Sequence, residues 1–437
     1  MRIWVWIIAA ISISVSLLRK KGVSFEHYIW VLLPIDMYGI SFAGAVIKPY
    51  MLFSVCLLMR MLLKGNLKLQ LRSQWVLAGG ILSVLLLVIN LANNQGFASA
   101  KAALLVLLVW FCTVIYISNC GGSTFTDIPK VLVATGVGYG VVFILGYLLT
   151  VMGVELPEVI ASERNQSGFF LNFSNMHQGK LVFISRLRGF TIDPNTMIGT
   201  FAFCSITCIL KITKGEGKLL EWIGLLISGV CVLLSGSRMG LICFLFLLFF
   251  SIIVGYKSAT PKIRSIMIFS GLCMTVICIS LCITTNVIGV VSDAISSRYG
   301  NRSGLSDEYG RFTLWEDAVE VLMGKNPLFG IGMGQMQHYT PTNRACHNTW
   351  LEMICSSGLI IGGMLVLYFF LLMLTALHRS INRRNAKNQG IMWCIILGSI
   401  VVIVSLVSVD NMTYSYLWFG TAMIAVIMSD FNSIAEL

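Results

Sequence analysis

Apolar runs separated by short polar segments make up most of the chain. Many are about 17 to 25 residues long, the length that a helix needs to cross the hydrocarbon core of a bilayer. The runs lie at 3–18, 28–47, 50–63, 75–92, 101–118, 131–152, 194–212, 219–236, 239–256, 265–285, 350–376, 391–409 and 412–429. This pattern predicts an all-α fold, a polytopic membrane helical bundle of about 12 or 13 transmembrane helices.

The amino-acid composition supports this class. Of the 437 residues, 57% are hydrophobic and 11% are charged, and the mean hydropathy is +0.85. A soluble protein of this size needs more polar surface. The first 18 residues resemble a signal peptide, but they end in Arg19-Lys20-Lys21 instead of a small-residue cleavage site. We therefore expect a retained helix.

Basic clusters between the apolar runs set the predicted orientation. They lie at 19–21, 60–72, 211–218, 257–264 and 379–387. Short cytoplasmic loops retain Lys and Arg, so these clusters are expected on the cytoplasmic side. The two long polar segments, 153–193 and 286–349, then face the exterior together with the turn at 236–238. Thirteen spans would place the N-terminus outside, and a broken element within 28–63 would change the count.

The predicted organisation has four parts. They are N-terminal transmembrane helices (1–152), a central transmembrane region with the first external loop (153–285), a long external loop (286–349) and C-terminal transmembrane helices (350–437). Of 13 cysteines, 11 lie within apolar runs, and Cys120 and Cys346 fall on opposite faces of the predicted membrane. No disulfide framework is therefore expected.

Basic residues are numerous on the predicted external face. They are Arg164, Lys180, Arg186, Arg188, Arg238, Arg298, Arg302, Arg311, Lys325 and Arg344. The positive-inside bias acts against them, so they need another explanation. An anionic substrate is the simplest one, because the guanidinium fork binds phosphate oxygens bidentately. The alternative is pairing with acidic residues of the same loops.

Three of these arginines lie at predicted edges of apolar spans. Arg188 lies shortly before an Asp-Pro pair that favours a helix start, so we expect it near a helix mouth. Arg238 lies in a tight break between two apolar runs, where a charge needs water, a partner or a snorkelling position. Arg311 starts an amphipathic stretch whose apolar face is expected along the membrane interface. Its alternative role is a salt bridge to Glu308 or Glu316.

One histidine differs from the other four in its position. His27 and His378 flank cytoplasmic clusters, which leaves His177, His338 and His347 on the external side. His347 precedes a long apolar helix predicted from about residue 348, and the positive end of a helix dipole disfavours its protonation. A neutral imidazole accepts a proton, so His347 is the candidate general base. The alternative is a polar residue without a chemical role.

The residues on either side of His347 suggest how it is held. Asn348 can cap the helix or hold the imidazole ring, and Glu352 lies one turn further in as a candidate orienting group. Upstream, residues 326–334 alternate glycines with apolar residues. No strand precedes them and no Walker lysine follows, so they do not form a nucleotide-binding loop, and no nucleic-acid partner is expected. We expect a shaped loop that packs against the membrane face.

Several of these motifs, taken in order, resemble the bacterial O-antigen ligase and polymerase superfamily. They are Gly310-Arg311, Pro327-Leu328-Phe329-Gly330-Ile331-Gly332, His347-Asn348, Leu351-Glu352 and Gly358-Leu359-Ile360-Ile361-Gly362. Segments 188–195 and 235–238 are similar to further recurrent segments of that superfamily. The resemblance covers about residues 180–375, while the N-terminal spans are similar only in character.

The resemblance implies a glycosyltransferase of the GT-C type, without metal or other cofactor, at the periplasmic side of the bacterial inner membrane. The implied donor is a glycan carried on undecaprenyl diphosphate, and the acceptor is a lipid-linked repeat unit or the lipid A core. By position, Arg188, Arg238 and Arg311 are implied to bind the donor diphosphate, and His347 to act as general base. A chain-length regulator is a further candidate partner. The sequence shows no external aspartate pair with metal-ligand character, which agrees with this reaction.

Three functions remain open at the level of the residues. A polymerase joins lipid-linked repeat units, whereas a ligase transfers the finished glycan to the lipid A core, and both need a diphosphate site and a base. The polymerase is favoured because aromatic residues of the long loop, Tyr299, Tyr309, Trp315 and Tyr339, suit an extended sugar acceptor. A transporter of lipid-linked sugars would instead need basic residues in both halves of the bundle and broken helices near mid-membrane.

Overall fold

The computed structural model describes most of the chain. The described residues are 25–36, 39–42, 45–65, 73–92, 97–120, 127–152, 166–167, 170–177, 180–191, 193–259, 261, 264–265, 311–340, 343–382, 389–409 and 411–429. The predicted spans 3–18 and 265–285 lie outside these residues, apart from residue 265. The predicted number of 12 or 13 spans and the four-part division remain predictions.

Twelve α-helices lie within the described residues. They are α1 (Tyr28–Leu32), α2 (Pro49–Leu63), α3 (Gln74–Ala92), α4 (Phe97–Asn119), α5 (Ile128–Val151), α6 (Ile198–Thr213), α7 (Leu219–Leu234), α8 (Arg238–Ser258), α9 (Arg311–Lys325), α10 (Thr349–Asn382), α11 (Gln389–Ser405) and α12 (Ser415–Ser429). Their bounds follow the apolar runs closely from residue 49 onward, because each run holds few residues that interrupt a helix.

The helices confirm the predicted all-α polytopic membrane bundle. Six segments are long and apolar enough to cross a membrane: Gln74–Ala92, Ser99–Asn119, Ile128–Leu149, Met239–Tyr256, Thr349–Asn382 and Gly390–Ser408. Shorter apolar helices occur at Pro49–Leu63, Ile198–Thr213 and Leu219–Leu234. Large apolar side chains are exposed on the outside of the bundle, Leu63 at 84% and Leu226 at 69%, as expected for surfaces that face lipid.

The prediction of a spanning helix at 28–47 is wrong. Among its described residues, the segment holds the five-residue helix α1, followed by an antiparallel hairpin of β1 (Ile40–Phe42) and β2 (Ala45–Ile47). α1 ends at Leu32, two residues before Pro34, which has no backbone N–H with which to continue the helical hydrogen bonds. The apolar composition of the segment was correct evidence for burial and incorrect evidence for a helix.

A second small sheet precedes α6. It contains β3 (Gln166–Ser167), β4 (Phe170–His177) and β5 (Lys180–Leu187), in the order β3-β4-β5, with both pairs antiparallel. From the sequence, this region was predicted only as a polar external segment. Arg188 directly follows β5, so the long β4-β5 hairpin determines where this arginine lies in the bundle.

Contacts between loops sort into two ends of the bundle. At one end, Lys211 forms an ion pair with Glu221 (2.9 Å), and Ser73 Oγ donates to Ala425 O (3.0 Å). This end carries the basic clusters that predict a cytoplasmic location. The opposite end contains residues 36, 48, 186–191, 193–196, 235–238, 346–352, 409 and 411–414, and we call it the candidate end.

α10 is broken at Gly358, whose φ of 75° and ψ of 172° are not helical. The loop at 326–334 lies against this break. Four backbone hydrogen bonds join loop and helix: Ile331 N to Cys355 O, Gly332 N to Ser356 O and Leu359 N to Pro327 O, each 2.9 Å, and Ile360 N to Leu328 O, 3.4 Å. The loop therefore supplies partners for backbone groups that the interrupted helix leaves unpaired.

The glycines of this loop allow the close approach of two backbones. A Cβ at Gly330 would collide with Gly358 N, and a Cβ at Gly358 would collide with Leu328 O. Gly330, Gly332 and Gly358 also have positive φ angles, which glycine adopts without a steric penalty. The expected shaped loop is thus present, and it packs into the break of α10.

Candidate functional site

The N-terminus of α10 carries His347 as predicted. Asn348 is the cap: its Oδ1 accepts hydrogen bonds from Trp350 N (3.0 Å) and Leu351 N (3.2 Å), and the helix begins at Thr349. His347 is exposed and has a φ of 50°, in the left-handed region that few residues other than glycine adopt. This backbone conformation turns the chain immediately before the helix and leaves the imidazole at its mouth.

Glu352 lies inside the first turns of α10 and is only 2% exposed. Ser356 Oγ donates to its Oε1 (3.1 Å), and Cys346 Sγ lies 3.6 Å from its Oε2. The Cys346 carbonyl in turn accepts from Trp315 Nε1 of α9 (3.0 Å). The residue before His347 is therefore held by α9 on one side and by α10 on the other. The role of Glu352 as an orienting group for His347 remains a prediction.

Thr349 connects this helix mouth to the segment before α12. Its Oγ1 donates to Val409 O (2.6 Å) and accepts from Asn411 N (3.1 Å). Further along the same segment, the Tyr414 hydroxyl donates to Thr196 O. Burial raises the pKa of the Tyr414 phenol well above its ordinary value, so the hydroxyl keeps the proton that it donates. Val409, Asn411 and Tyr414 thus bridge the α10 mouth and the segment that follows Arg188.

Arg188 lies at the candidate end and is 1% exposed. Its carbonyl accepts from Thr191 N (3.2 Å) and from Thr191 Oγ1 (2.7 Å), so the chain turns directly after it. Gly189 has a φ of 61°, and a Cβ there would collide with the Phe143 ring. This residue therefore lets the turn pack against α5. A buried guanidinium needs charged or polar partners, and the role of Arg188 in binding an anion remains a prediction.

The predicted helix start at the Asp193-Pro194 pair is too early. Residues 193–197 form turns, in which Asp193 Oδ1 accepts from Asn195 N (2.7 Å), and α6 begins at Ile198. The aspartate stabilises a turn rather than the helix end, because its side chain bonds the backbone two residues on. Arg188 therefore lies ten residues before the start of α6, further from that helix than predicted.

Arg186 joins the Arg188 segment to the turn that starts α8. Its Nε donates to Ser235 O (2.8 Å) and its Nη2 to Asn195 Oδ1 (3.2 Å). Ser237 Oγ donates to the same Asn195 oxygen, and it also caps α8 by accepting from Gly240 N (2.9 Å). From the sequence, Arg186 was identified only as one of the external basic residues. Its bonds to this turn had no local sequence signal.

Arg238 and Arg311 are each the first residue of a helix, α8 and α9, and their side chains lie outside the described part of the structure. Their positions nevertheless relate them to the site. Arg238 directly follows the turn that Arg186 binds. Arg311 lies one turn before Trp315, which contacts the residue preceding His347. The segments that carry Arg188, Arg238, Arg311 and His347 therefore meet at the candidate end.

Part of the apolar face of α9, which was expected along the membrane interface, is buried inside the protein instead. Ala318 and Leu322 are 0% and 3% exposed and pack in one cluster with Cys355 of α10. Cys355 Sγ of α10 lies 3.4 Å from Ala318 O. The amphipathic pattern predicted the helix correctly, whereas the identity of the covering surface depended on tertiary packing.

Asp36 and Lys48 form a buried ion pair at the same end, with side chains 0% and 6% exposed. Lys48 Nζ also lies 3.4 Å from Thr413 O, and Asp36 N donates to Phe190 O (3.1 Å). The pair therefore ties the N-terminal third to the Arg188 segment and to residues 409–414. An aspartate and a lysine within an apolar stretch are the sequence signal for such a pair, because buried charges are nearly always paired.

A comparison with known protein families finds a match for part of the chain. Residues 223–367 match the family described as O-antigen ligase, and the match includes Arg238, Arg311, His347 and Glu352 but not Arg188. No curated protein matches the chain. The match supports an enzyme of the ligase or polymerase type that is embedded in a membrane. It confirms, over residues 223–367, the resemblance to the O-antigen ligase and polymerase superfamily.

Proposed function

We propose that this chain is a polysaccharide polymerase, which joins undecaprenyl-diphosphate-linked repeat units at the external face of the inner membrane. The observation that carries the proposal is the exposed imidazole of His347 at a capped helix mouth, within a network that also holds the arginine segments. A proton acceptor and phosphate-binding groups at one end of a membrane bundle suit transfer from a lipid-linked diphosphate donor.

Arg188, Arg238 and Arg311 bind the donor diphosphate in this proposal. Each guanidinium offers a planar fork of donors that matches phosphate oxygens, and each remains protonated at any physiological pH. Two of the three lie at helix N-termini, where backbone N–H groups and the helix dipole also favour an anion. The same groups stabilise the negative charge that the departing diphosphate acquires.

The proposed reaction is a single displacement with inversion at the anomeric carbon. A neutral ring nitrogen of His347 takes the proton of the acceptor hydroxyl while the hydroxyl oxygen attacks that carbon. The bond from the carbon to the diphosphate oxygen breaks, and its electron pair leaves with the lipid diphosphate. The imidazolium then releases its proton to water, which restores the enzyme.

Asn348 and Glu352 are positioning residues in this scheme. Asn348 fixes the start of α10, so the backbone of His347 has a defined direction. Glu352 places a buried carboxylate behind that backbone, within reach of Cys346 and Ser356. A negative charge nearby stabilises the imidazolium that forms during transfer.

A ligase that transfers the glycan to the lipid A core is the second candidate. The description of the matching family favours it, and it needs the same diphosphate site and base. Trp315 and Tyr339, on either side of the loop at 326–334, favour the polymerase, because partly buried aromatic rings provide surfaces for sugar.

The transporter alternative predicts helices broken near mid-membrane. Among the described helices, α10 is broken at Gly358, but residues 359–382 remain helical beyond it. These 24 residues span about 36 Å, enough to cross the hydrocarbon core without the first part of α10. The break therefore lies at one end of a complete span, which gives the transporter no support.

Purified protein given only a synthetic lipid-linked repeat unit is expected to produce a ladder of lengthening glycans, detectable by gel electrophoresis and mass spectrometry. A polymerase needs no second acceptor, so the ladder should form without lipid A core. Product that appears only after core is added would replace the polymerase by the ligase. No new glycosidic bond under either condition would contradict both.

Arg188→Lys is expected to leave donor use reduced by about 10-fold or more, because lysine keeps the charge but cannot make the bidentate contact. The measurement is kcat/KM for the lipid-linked donor, with Arg188→Ala as the more severe variant. Lys48→Arg is not a suitable control for this experiment, because the Lys48 side chain already forms an ion pair with Asp36. Full activity of Arg188→Lys would show that simple charge suffices.

A further inference from the structure

α9 has a second apolar surface besides the one that it buries. Val319 and Met323, one helical turn apart and so on the same side, are 47% and 59% exposed. They lie between the buried side of α9 and the exposed acidic residues Glu316 and Glu320. A helix in contact only with α10 and water has no need of this surface, because water favours polar side chains there.

The loop that follows α9 carries two further exposed apolar side chains. Leu328 and Phe329 are 52% and 49% exposed, and the Leu328 carbonyl accepts from Ile360 N (3.4 Å). Ile360 and Leu359 begin the complete membrane span of α10 and are themselves 41% and 49% exposed. The exposed side chains of the loop therefore adjoin the exposed side chains that start the span.

We propose that Val319, Met323, Leu328 and Phe329, here called the α9 apolar row, are inserted into the bilayer beside the α10 span. Lipid is the expected occupant because the row is continuous with the outer surface of that span, where Met364 and Leu367 are 48% and 53% exposed. Amphipathic helices of this kind lie at the boundary between headgroups and acyl chains.

Insertion of the row has a consequence for the candidate site. Trp315 Nε1 on α9 donates to Cys346 O, directly before His347. An α9 that is fixed in the bilayer surface therefore fixes the depth of the imidazole at the level of the lipid headgroups. The diphosphate of a lipid-linked donor lies at that level, a consequence that rests on the proposed function, whereas the insertion itself does not.

Photo-crosslinking to lipid tests the insertion directly. A benzophenone-bearing phenylalanine is placed at Phe329 or Val319, at Leu367 as the reference within the span, and at the exposed Glu316 as the matched position on α9. The full chain is reconstituted in vesicles of phosphatidylethanolamine and phosphatidylglycerol, irradiated and analysed by mass spectrometry. Positions 329 and 319 should give lipid adducts at least about tenfold more abundant than position 316, and comparable to position 367.

Two results would overturn the proposal. Lipid adducts at 329 and 319 no more abundant than at 316 would show that the row faces water, and adducts to a second copy of the chain would show a protein interface. A converse experiment leaves the sequence unaltered, in case a substituted chain does not fold. A lipid with a diazirine near the top of its acyl chain should label peptides containing residues 319–329, and absence of that label alongside labelled span peptides would also overturn it.

Discussion

His347→Asn is expected to lower the rate of glycosyl transfer by about 10²–10⁴-fold, the usual contribution of a general base. Asparagine is the informative substitution because the φ of 50° at this position disfavours most side chains, and asparagine tolerates it. Its amide cannot take up the proton of the acceptor hydroxyl. The chain should therefore fold normally, bind donor normally and fail in the chemical step, as measured by single-turnover transfer with a lipid-linked repeat unit.

His338→Asn is the matched control for this experiment. His338 is an exposed histidine in the same predicted external segment, in the short 3₁₀ turn Met336–His338, and it has no role in the proposed reaction. Its substitution should leave the transfer rate within about twofold of the native value, as for most surface changes. Near-normal transfer by the His347→Asn variant would remove His347 from the mechanism. The same conclusion would follow if only the His338→Asn variant lost transfer.

The helices were the part of the structure that the sequence predicted best. Apolar runs of sufficient length specify membrane helices almost regardless of context, because a backbone in lipid must satisfy its own hydrogen bonds. The start of α10 was also local information, since Asn348 caps the helix through its own side chain. The segment at 28–47 was misassigned because Pro34 ends the helix early within a sequence that is still apolar.

The network of the candidate end was much less predictable. The bonds of Thr349 to Val409 and Asn411 join residues about 60 positions apart, and Tyr414 reaches Thr196 across 218 positions. Such contacts depend on which helices become neighbours, and a single sequence carries no periodic signal for them. The sequence therefore indicated which residues have suitable chemistry, whereas the structure shows which segments it brings together.

Gly358→Ala is expected to destabilise the protein more than any other glycine-to-alanine change discussed. The new Cβ would collide with the Leu328 carbonyl, and the φ of 75° is unfavourable for alanine. Overpacking typically costs about 1–3 kcal/mol, and the backbone conformation at φ 75° and ψ 172°, which is almost restricted to glycine, adds about 1–3 kcal/mol for alanine. The loop at 326–334 would have to separate from the break of α10. The thermal midpoint in detergent, measured by size-exclusion fluorescence, should fall clearly.

Two further glycines separate the causes of this effect. Gly334 has a φ of 70° but open space where a Cβ would lie, so Gly334→Ala measures the backbone cost alone. Gly363 has open space and no positive φ, so Gly363→Ala should be neutral or slightly stabilising. If Gly358→Ala were no worse than Gly334→Ala, the contact between loop and broken helix would contribute little to stability. A larger loss at Gly358, accompanied by loss of transfer, would instead show that this contact holds the first half of α10, and with it His347, in position.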